Sequence, residues 1–141
     1  MSRRSRCSRV NEMVGNDPDI FLLTDPNRVD AEVVNAFQRR AEVVLQRSLR
    51  EGFGFTATET MWKGRPVIAT PATGLAYQIR HEVNGIIADG TETCADYLVG
   101  LLKCPDWAQS LGQAAIESVR ANHLLPVMVD DYLAILESLA V

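Results

Sequence analysis

The most informative segment of this chain is a short glycine turn between two acidic residues. It reads Arg50-Glu51-Gly52-Phe53-Gly54-Phe55-Thr56-Ala57-Thr58-Glu59. Glycine allows a tight turn and lets backbone amides approach a ligand closely. A helix that begins in such a turn presents N–H groups that attract anions and hydroxyls. With Glu51 and Glu59 as hydroxyl acceptors on either side, the stretch predicts a strand–turn–helix unit that binds an anionic or hydroxyl-rich ligand.

Two structural explanations compete with that interpretation. A Gly-x-Gly turn is also what a tight strand-to-helix connection requires, whether or not a ligand binds there. In addition, Thr56-Ala57-Thr58-Glu59 matches the Ser/Thr-x-x-Glu capping box, in which the glutamate accepts a hydrogen bond from the N–H of the cap residue. From these residues alone, helix capping and ligand binding explain Glu59 equally well.

Short apolar runs alternate with helical patterns on both sides of the turn. The predicted strands lie at 20–23, 43–46, 67–70 and 85–88, and the predicted helices at 30–41, 55–63, 75–81, 92–103, 106–121 and 126–139. This alternation predicts an α/β protein with a Rossmann-like parallel sheet of about four strands, flanking helices and a helical C-terminal third. Ligands bind beyond the carboxyl ends of such strands. The loops at 51–54 and 70–74 are therefore expected to face one crevice.

Composition limits the classes of function. The basic residues Arg3, Arg4, Arg6 and Arg9 precede every acid, so residues 1–14 form a basic leader that we expect to be disordered. The body, 15–141, is acidic, which argues against a nucleic-acid partner. No apolar run is long enough for a membrane span. Three cysteines without C-x-x-C spacing argue against zinc and favour reduced thiols in the cytoplasm.

The ordered motifs resemble the retaining glycosyltransferases of the GT-B fold, family four. The shared pattern is Glu, Gly-Phe-Gly, a second Glu after seven intervening residues, Gly-x-Pro-Val-Ile and a glycine-containing loop. In this chain it occupies 51–54, Glu59, 64–68, Thr73-Gly74 and Asn84-Gly85. Residues 34–39, 45–54 and 77–79 are most similar to the trehalose synthases and trehalose phosphorylases of that family. The resemblance covers about residues 15–140, as an incomplete GT-B C-terminal domain.

The resemblance implies a separate role for each acid. Glu51 would be the catalytic residue, which contacts the hydroxyls of the donor sugar and stabilises the positive charge that develops there. Glu59 would bind the ribose hydroxyls of the nucleotide. The family usually has Gly-Gly where this chain has Thr73-Gly74. The residues that would approach the sugar or the diphosphate with their backbone are Gly52, Phe53, Gly54, Thr73 and Gly74.

Two basic side chains stand next to the first acid. Arg47 and Arg50 can neutralise the phosphates of a leaving nucleotide, since departure of a diphosphate needs positive charge nearby. A solvated or salt-bridged pair of arginines is the competing and preferred explanation. The resemblance implies neither a metal nor a cofactor, because helix ends and basic side chains would hold the diphosphate.

The resemblance also implies parts that these residues do not encode. Members of the family hold the sugar acceptor in an N-terminal domain, and their donor domain begins with two further strand–helix units. In the usual strand order 3-2-1-4-5-6, the strands at 20–23 and 43–46 would be the third and fourth. Their normal neighbours would be missing, so an apolar edge would be exposed. We therefore expect either a rearranged small sheet or a homo-oligomer that covers the edge.

The resemblance implies retaining hexosyl transfer from UDP- or ADP-glucose to a sugar acceptor held by the missing domain. The alternative is a truncated, non-catalytic binding or oligomerisation module derived from such an enzyme. An unrelated Rossmann-type nucleotide binder is disfavoured, because no Gly-x-Gly-x-x-Gly follows the first strand.

Overall fold

The computed structural model describes residues 3–25 and 27–139. Seven helices and three strands are present in this part of the chain: α1 Arg3–Val14, α2 Ala31–Arg40, β1 Val44–Gln46, α3 Phe55–Trp62, β2 Val67–Ala69, α4 Thr73–Gln78, β3 Ile86–Ile87, α5 Thr91–Lys103, α6 Pro105–Asn122 and α7 Leu125–Leu139. The chain divides into two compact units, one up to Phe37 and one from Gln38 onward. The assignment of 15–141 to a single domain stays a prediction.

The second unit is built on a parallel three-stranded sheet with the order β1-β2-β3. Val44 is in register with Val67, and Ile68 with Ile86. All three residues of β2 are buried, as expected for a central strand covered by helices on both faces. Helix α3 connects β1 to β2, and α4 connects β2 to β3. The predicted α/β class, the parallel strands and the helical C-terminal third are therefore confirmed.

The prediction of a strand at 20–23 is wrong, so the described sheet has three strands where about four were expected. Phe21 is 80% exposed and Leu23 is 53% exposed. The backbone N–H of Asp19 donates to the Asp17 carboxylate (2.9 Å), so the chain turns immediately before the run. An apolar run forms a strand only where a neighbouring strand accepts its backbone hydrogen bonds. Residues 20–23 form no ladder of backbone hydrogen bonds with any described strand.

The prediction of disorder in the leader is also wrong for its described residues, which form α1; residues 1 and 2 lie outside the described part of the chain. No glycine or proline interrupts residues 3–14, so the backbone can remain helical despite the polar composition. Gly15 ends the helix with φ 59°, and its N–H donates to the C=O of Asn11 (2.9 Å). Glycine at this position is a common helix terminator.

The core lies on both faces of the sheet. Met61, Val67 and Leu75 pack with residues of α6 on one face, and Ile68, Ile86 and Leu101 form the cluster on the other. No helix in the described ranges combines the length and apolar character needed to cross a bilayer.

Helix α3 meets α6 at a pair of glycines. Gly64 follows the last residues of α3 with φ 69°, a left-handed conformation in which glycine commonly ends a helix. A Cβ on Gly112 would lie 2.1 Å from the carbonyl oxygen of Gly64. The backbones therefore touch at a distance that only glycine permits, which sets α3 closely against the C-terminal helices.

Candidate functional site

The loops that follow β1 and β2 are joined at their tips. The N–H of Gly74 donates to the C=O of Glu51 (3.0 Å). A Cβ on Gly74 would lie 2.5 Å from both the carbonyl carbon and the oxygen of Gly52, so the close approach depends on glycine. Thr73 is exposed beside it as the first residue of α4. The two loops therefore lie side by side, and the expectation that they face one ligand crevice stays a prediction.

The glycine turn places the beginning of α3 at this junction. Gly54 is the N-cap of α3 with φ 95° and ψ 57°, a left-handed conformation suited to glycine. A Cβ there would lie 2.6 Å from Leu75 Cδ2. Gly52 is exposed, and a Cβ on it would meet nothing within 4 Å. The N–H groups of Ala57 and Thr58 donate to the C=O of Gly54. Those of Phe55 and Thr56 have no backbone partner in the described part of the chain and are available at the site.

A buried glutamine that the site prediction missed fixes the turn. Gln78 is 2% exposed, and its Nε2 donates to the C=O of Phe53 while its Oε1 accepts from the hydroxyl of Thr58. The side chain thus links α4 to both the turn and α3. The sequence carries two signals for this residue: it is a polar residue in a short helix, and it lies within 77–79, one of the segments that carry the family resemblance.

Glu51 is half-buried at the end of a short polar chain. The hydroxyl of Ser48 donates to Glu51 Oε2 (3.3 Å), and Ser48 Oγ accepts from Gln46 Nε2 (2.8 Å). Gln46 is the last residue of β1, so the carboxylate is oriented from the end of the strand. Within the described part of the chain, Glu51 Oε1 has no hydrogen-bond partner and can accept one from a ligand.

The capping-box explanation of Glu59 is wrong. Helix α3 begins two residues earlier than that motif requires, with Gly54 in place of Thr56 as N-cap and without a side-chain cap. Glu59 is exposed on the helix, and its Oε2 accepts a hydrogen bond from Gln38 Nε2 (3.2 Å). The carboxylate is therefore not used in helix initiation.

The two predicted arginines differ in their contacts. The guanidinium of Arg47 donates to the C=O of Ala88 (2.7 Å) and to that of Gly90 (2.8 Å), which ties the loop after β1 to the chain after β3. Arg50 is exposed and forms no ion pair with any described residue. Arg47 thus has a structural role that explains it without a ligand, whereas Arg50 does not.

Aromatic residues line a cavity next to the glycine turn. The ring of Phe53 lies 5.0 Å from Phe55 and 5.8 Å from His123, centroid to centroid. Both phenylalanines, Tyr77, His123 and Met128 help to line a cavity of about 480 Å³. Burial lowers the pKa of His123, against a smaller raising effect of a backbone hydrogen bond at Asn122. Sequence reasoning missed His123, because its contact with Phe53 links segments far apart in the chain.

Metal binding has no evident site in the described ranges. No three His, Cys, Asp or Glu side chains there are grouped as the ligands of an ion would be.

The family model and the related proteins that match this chain agree with one another. The model of the family described as Glycosyl transferases group 1 matches residues 24–118. The trehalose synthase of Pyrococcus horikoshii is 41% identical over 126 residues, which cover 89% of this chain and 30% of that protein. The chain therefore spans about a third of the length of such relatives.

Solved structures show the same fold at lower identity. Sucrose-phosphate synthase from Thermosynechococcus elongatus superposes with a TM-score of 0.81 at 24% identity, covering 96% of this chain and 34% of the other. Anabaena Alr3699/HepE, solved in complex with UDP-glucose, gives a TM-score of 0.79 at 17% identity, covering 95% and 38%.

Proposed function

Because this chain belongs to the glycosyl transferases group 1 family and matches the C-terminal portion of GT-B enzymes, we propose that its joined loops bind a nucleotide-sugar donor for retaining glucosyl transfer. The observation that carries the proposal is the contact between Gly74 and Glu51. It brings two glycine-containing loops, a half-buried acid and the start of α3 together beyond the carboxyl ends of β1 and β2, where α/β sheets bind ligands.

Each of the two acids binds a different part of the donor. Glu51 is the catalytic residue of the proposal: it accepts hydrogen bonds from the hydroxyls of glucose and stabilises the positive charge that develops as the leaving group departs. Its orientation through Ser48 supports this role, since a fixed carboxylate needs no reorganisation during the reaction. Glu59 binds the two ribose hydroxyls, because an ionised carboxylate accepts two hydrogen bonds at once.

The diphosphate lies between the two acids in this arrangement. The N–H groups of Phe55 and Thr56 at the start of α3 and the backbone of Gly52, Phe53, Gly54 and Thr73 face it, while Gly74 holds the two loops together. A helix N-terminus stabilises negative charge. Arg50 supplies mobile positive charge. Arg47 acts mainly through the carbonyl groups that it holds, and thereby keeps the loop after β1 in position.

The relatives support a proposal for the donor and the acceptor. A trehalose synthase relative and a structural neighbour solved with UDP-glucose support glucose on UDP or ADP as the donor. The acceptor would be a second sugar, held by a part of the enzyme that these 141 residues do not include. Transfer requires both substrates in one closed site. We therefore propose donor binding for the chain alone and transfer for the assembled enzyme.

A non-catalytic interaction module is the second candidate, and α7 favours it. None of the residues of α7 is buried. Its large apolar side chains are between 44% and 74% exposed: Leu125, Met128, Val129, Tyr132, Leu133, Ile135, Leu136 and Leu139. An apolar face of this size is typical of an interaction surface.

Calorimetric titration separates the two candidates. The purified chain is titrated with UDP, ADP, UDP-glucose and ADP-glucose, together with Glu51→Gln, Glu59→Gln and the matched control Glu117→Gln on α6. We expect Glu59→Gln to weaken free nucleotide and nucleotide sugar equally, and Glu51→Gln to weaken only the glucose conjugates. Absence of binding at millimolar ligand would refute donor binding and leave the interaction module.

A further inference from the structure

We propose that Gln38 is a positioning residue for the nucleotide side of the site, a role that rests on the proposed function of Glu59. Gln38 is on the last turn of α2 and is only 4% exposed. Its Nε2 donates to Glu59 Oε2 (3.2 Å), while its Oε1 accepts from Lys63 Nζ (2.6 Å). The amide therefore stands between a carboxylate and an ammonium group.

The charged neighbours fix the orientation of the amide. A carboxylate accepts hydrogen bonds and an ammonium group only donates them. The NH₂ of Gln38 must therefore face Glu59, and its carbonyl oxygen must face Lys63. Because the side chain is buried and both its ends are engaged, it has little freedom to turn. Gln38 thus provides a rigid support for a carboxylate that is otherwise exposed.

The same arrangement keeps Lys63 away from the carboxylate of Glu59. Lys63 follows Glu59 by one helical turn, a spacing at which glutamate and lysine commonly pair. Here Lys63 Nζ instead contacts Gln38 Oε1 and, at 3.3 Å, the backbone C=O of Glu59. No ion pair joins the two side chains among the described residues. A direct ion pair would compete with ligand hydroxyls for the carboxylate oxygens.

Gln38 therefore presents Glu59 with one oxygen held and the other available. Glu59 Oε1 has no hydrogen-bond partner in the described part of the chain. A carboxylate binds the two neighbouring hydroxyls of a ribose more tightly when its orientation is already fixed. A carboxylate that rotates freely loses conformational entropy on binding, and this loss weakens the affinity. We infer that Gln38 contributes to the discrimination of ribonucleotides from their 2′-deoxy analogues.

The test compares UDP with 2′-deoxy-UDP in calorimetric titrations of the full chain. Gln38→Met replaces the amide by an apolar side chain of similar length. Gln113→Met is the matched control, because Gln113 on α6 also donates to a glutamate, Glu117 (3.2 Å), but is exposed and one turn from it on the same helix. We expect the unchanged chain and Gln113→Met to prefer UDP by about tenfold, the scale of one hydrogen bond to a charged group.

Gln38→Met should reduce this preference to about threefold or less, a partial loss of one charge-assisted hydrogen bond. Its affinity for the 2′-deoxy compound should change little, because that compound makes less use of Glu59. An equal loss of affinity for both compounds would indicate a general structural role and overturn the proposal. If Gln38→Met does not fold, Gln38→Glu retains an oxygen for Lys63 and repels Glu59, and should show the same loss of preference.

A measurement without nucleotide separates this inference from the proposed function. In carbon-detected NMR, the chemical shift of the Glu59 carboxyl carbon should change in Gln38→Met and remain unchanged in Gln113→Met. If the unchanged chain binds no nucleotide, donor binding fails, and a changed carboxyl signal still confirms that Gln38 orients Glu59. An unaltered Glu59 signal in Gln38→Met would overturn the inference whether or not nucleotide binds.

Discussion

The backbone N–H of Gly74 donates a hydrogen bond of 3.0 Å to the backbone C=O of Glu51. Together with the hydrogen bond from the Thr70 hydroxyl to the C=O of Ser48, this contact joins the loop after β1 to the loop after β2. It does so at the residue whose side chain is proposed to act on the sugar. The backbone position of Glu51 therefore depends on a glycine more than twenty positions later in the chain. Any change that separates the loops should alter both folding and binding.

Gly74→Ala should separate the two loops. The new Cβ would lie 2.5 Å from backbone atoms of Gly52 and 2.7 Å from the amide nitrogen of Phe53, which cannot move aside as a flexible side chain would. We expect the free energy of unfolding to fall by about 1–3 kcal/mol, the usual cost of overpacking. Urea denaturation followed by circular dichroism measures the change.

Gly52→Ala is the matched control in the facing loop. Its Cβ would meet nothing within 4 Å, and Gly52 is not among the glycines with positive φ. Its stability should stay within about 0.5 kcal/mol of the unchanged chain. Equal effects of the two substitutions would show that the close contact is not the cause.

Arg47→Met should destabilise the chain, because it removes two hydrogen bonds to the carbonyl groups of Ala88 and Gly90. We expect a loss of about 1–2 kcal/mol, since both bonds have a charged donor but are only partly protected from water. Arg50→Met is the control and should change stability by less than about 0.5 kcal/mol. If Arg47→Met instead keeps full stability and loses donor affinity, Arg47 binds phosphate and the structural assignment is wrong.

The sequence predicted those parts of the fold that depend on local pattern. The parallel strands at 44–46, 67–69 and 86–87, the helices between them and the joining of two loops all follow from apolar runs and glycine positions. The prediction of a strand at 20–23 was wrong, because an isolated apolar segment has the same sequence pattern as a strand but lacks the neighbouring strand that would pair with it.

The contacts of the site residues could not be predicted in the same way. Gln38, Gln78 and His123 act through partners between 20 and 70 positions away along the chain. Local periodicity carries no signal for such pairs. The capping-box motif at Thr56 failed for a related reason: the helix begins at the glycine turn, whose position is fixed by packing against Leu75.

We expect two copies of the chain to associate through the open edge of strand β1. It pairs with β2 on one side, no described strand pairs with its other side, and Leu45 is 43% exposed. An open edge with apolar side chains favours pairing between chains. We expect sedimentation to depend on concentration and Leu45→Lys to abolish the dependence. Leu49→Lys, in the loop after the strand, is the control; a compact monomer of the unchanged chain at all concentrations would contradict the prediction.

His123 should make the stability of the fold decrease at mildly acidic pH. Burial holds the pKa of its imidazole below the ordinary value of 6.5. The unfolded chain therefore binds a proton at a pH at which the folded chain does not, and stability rises with pH over that interval. The contribution of neutral His123 to the free energy of unfolding should be complete above pH 6.5. It should be lost as the pH falls through the lower pKa that His123 has in the folded state.

His123→Phe tests this because it keeps an aromatic ring against Phe53 and removes the titrating group. The difference in unfolding free energy between the two proteins at pH 7.5 measures the change in packing alone. Between pH 7.5 and pH 5, we expect the unchanged chain to lose more stability than the variant, since protonation of carboxylates affects both equally. Denaturation curves that shift in parallel over this range would show that the ring at 123 does not couple folding to protonation.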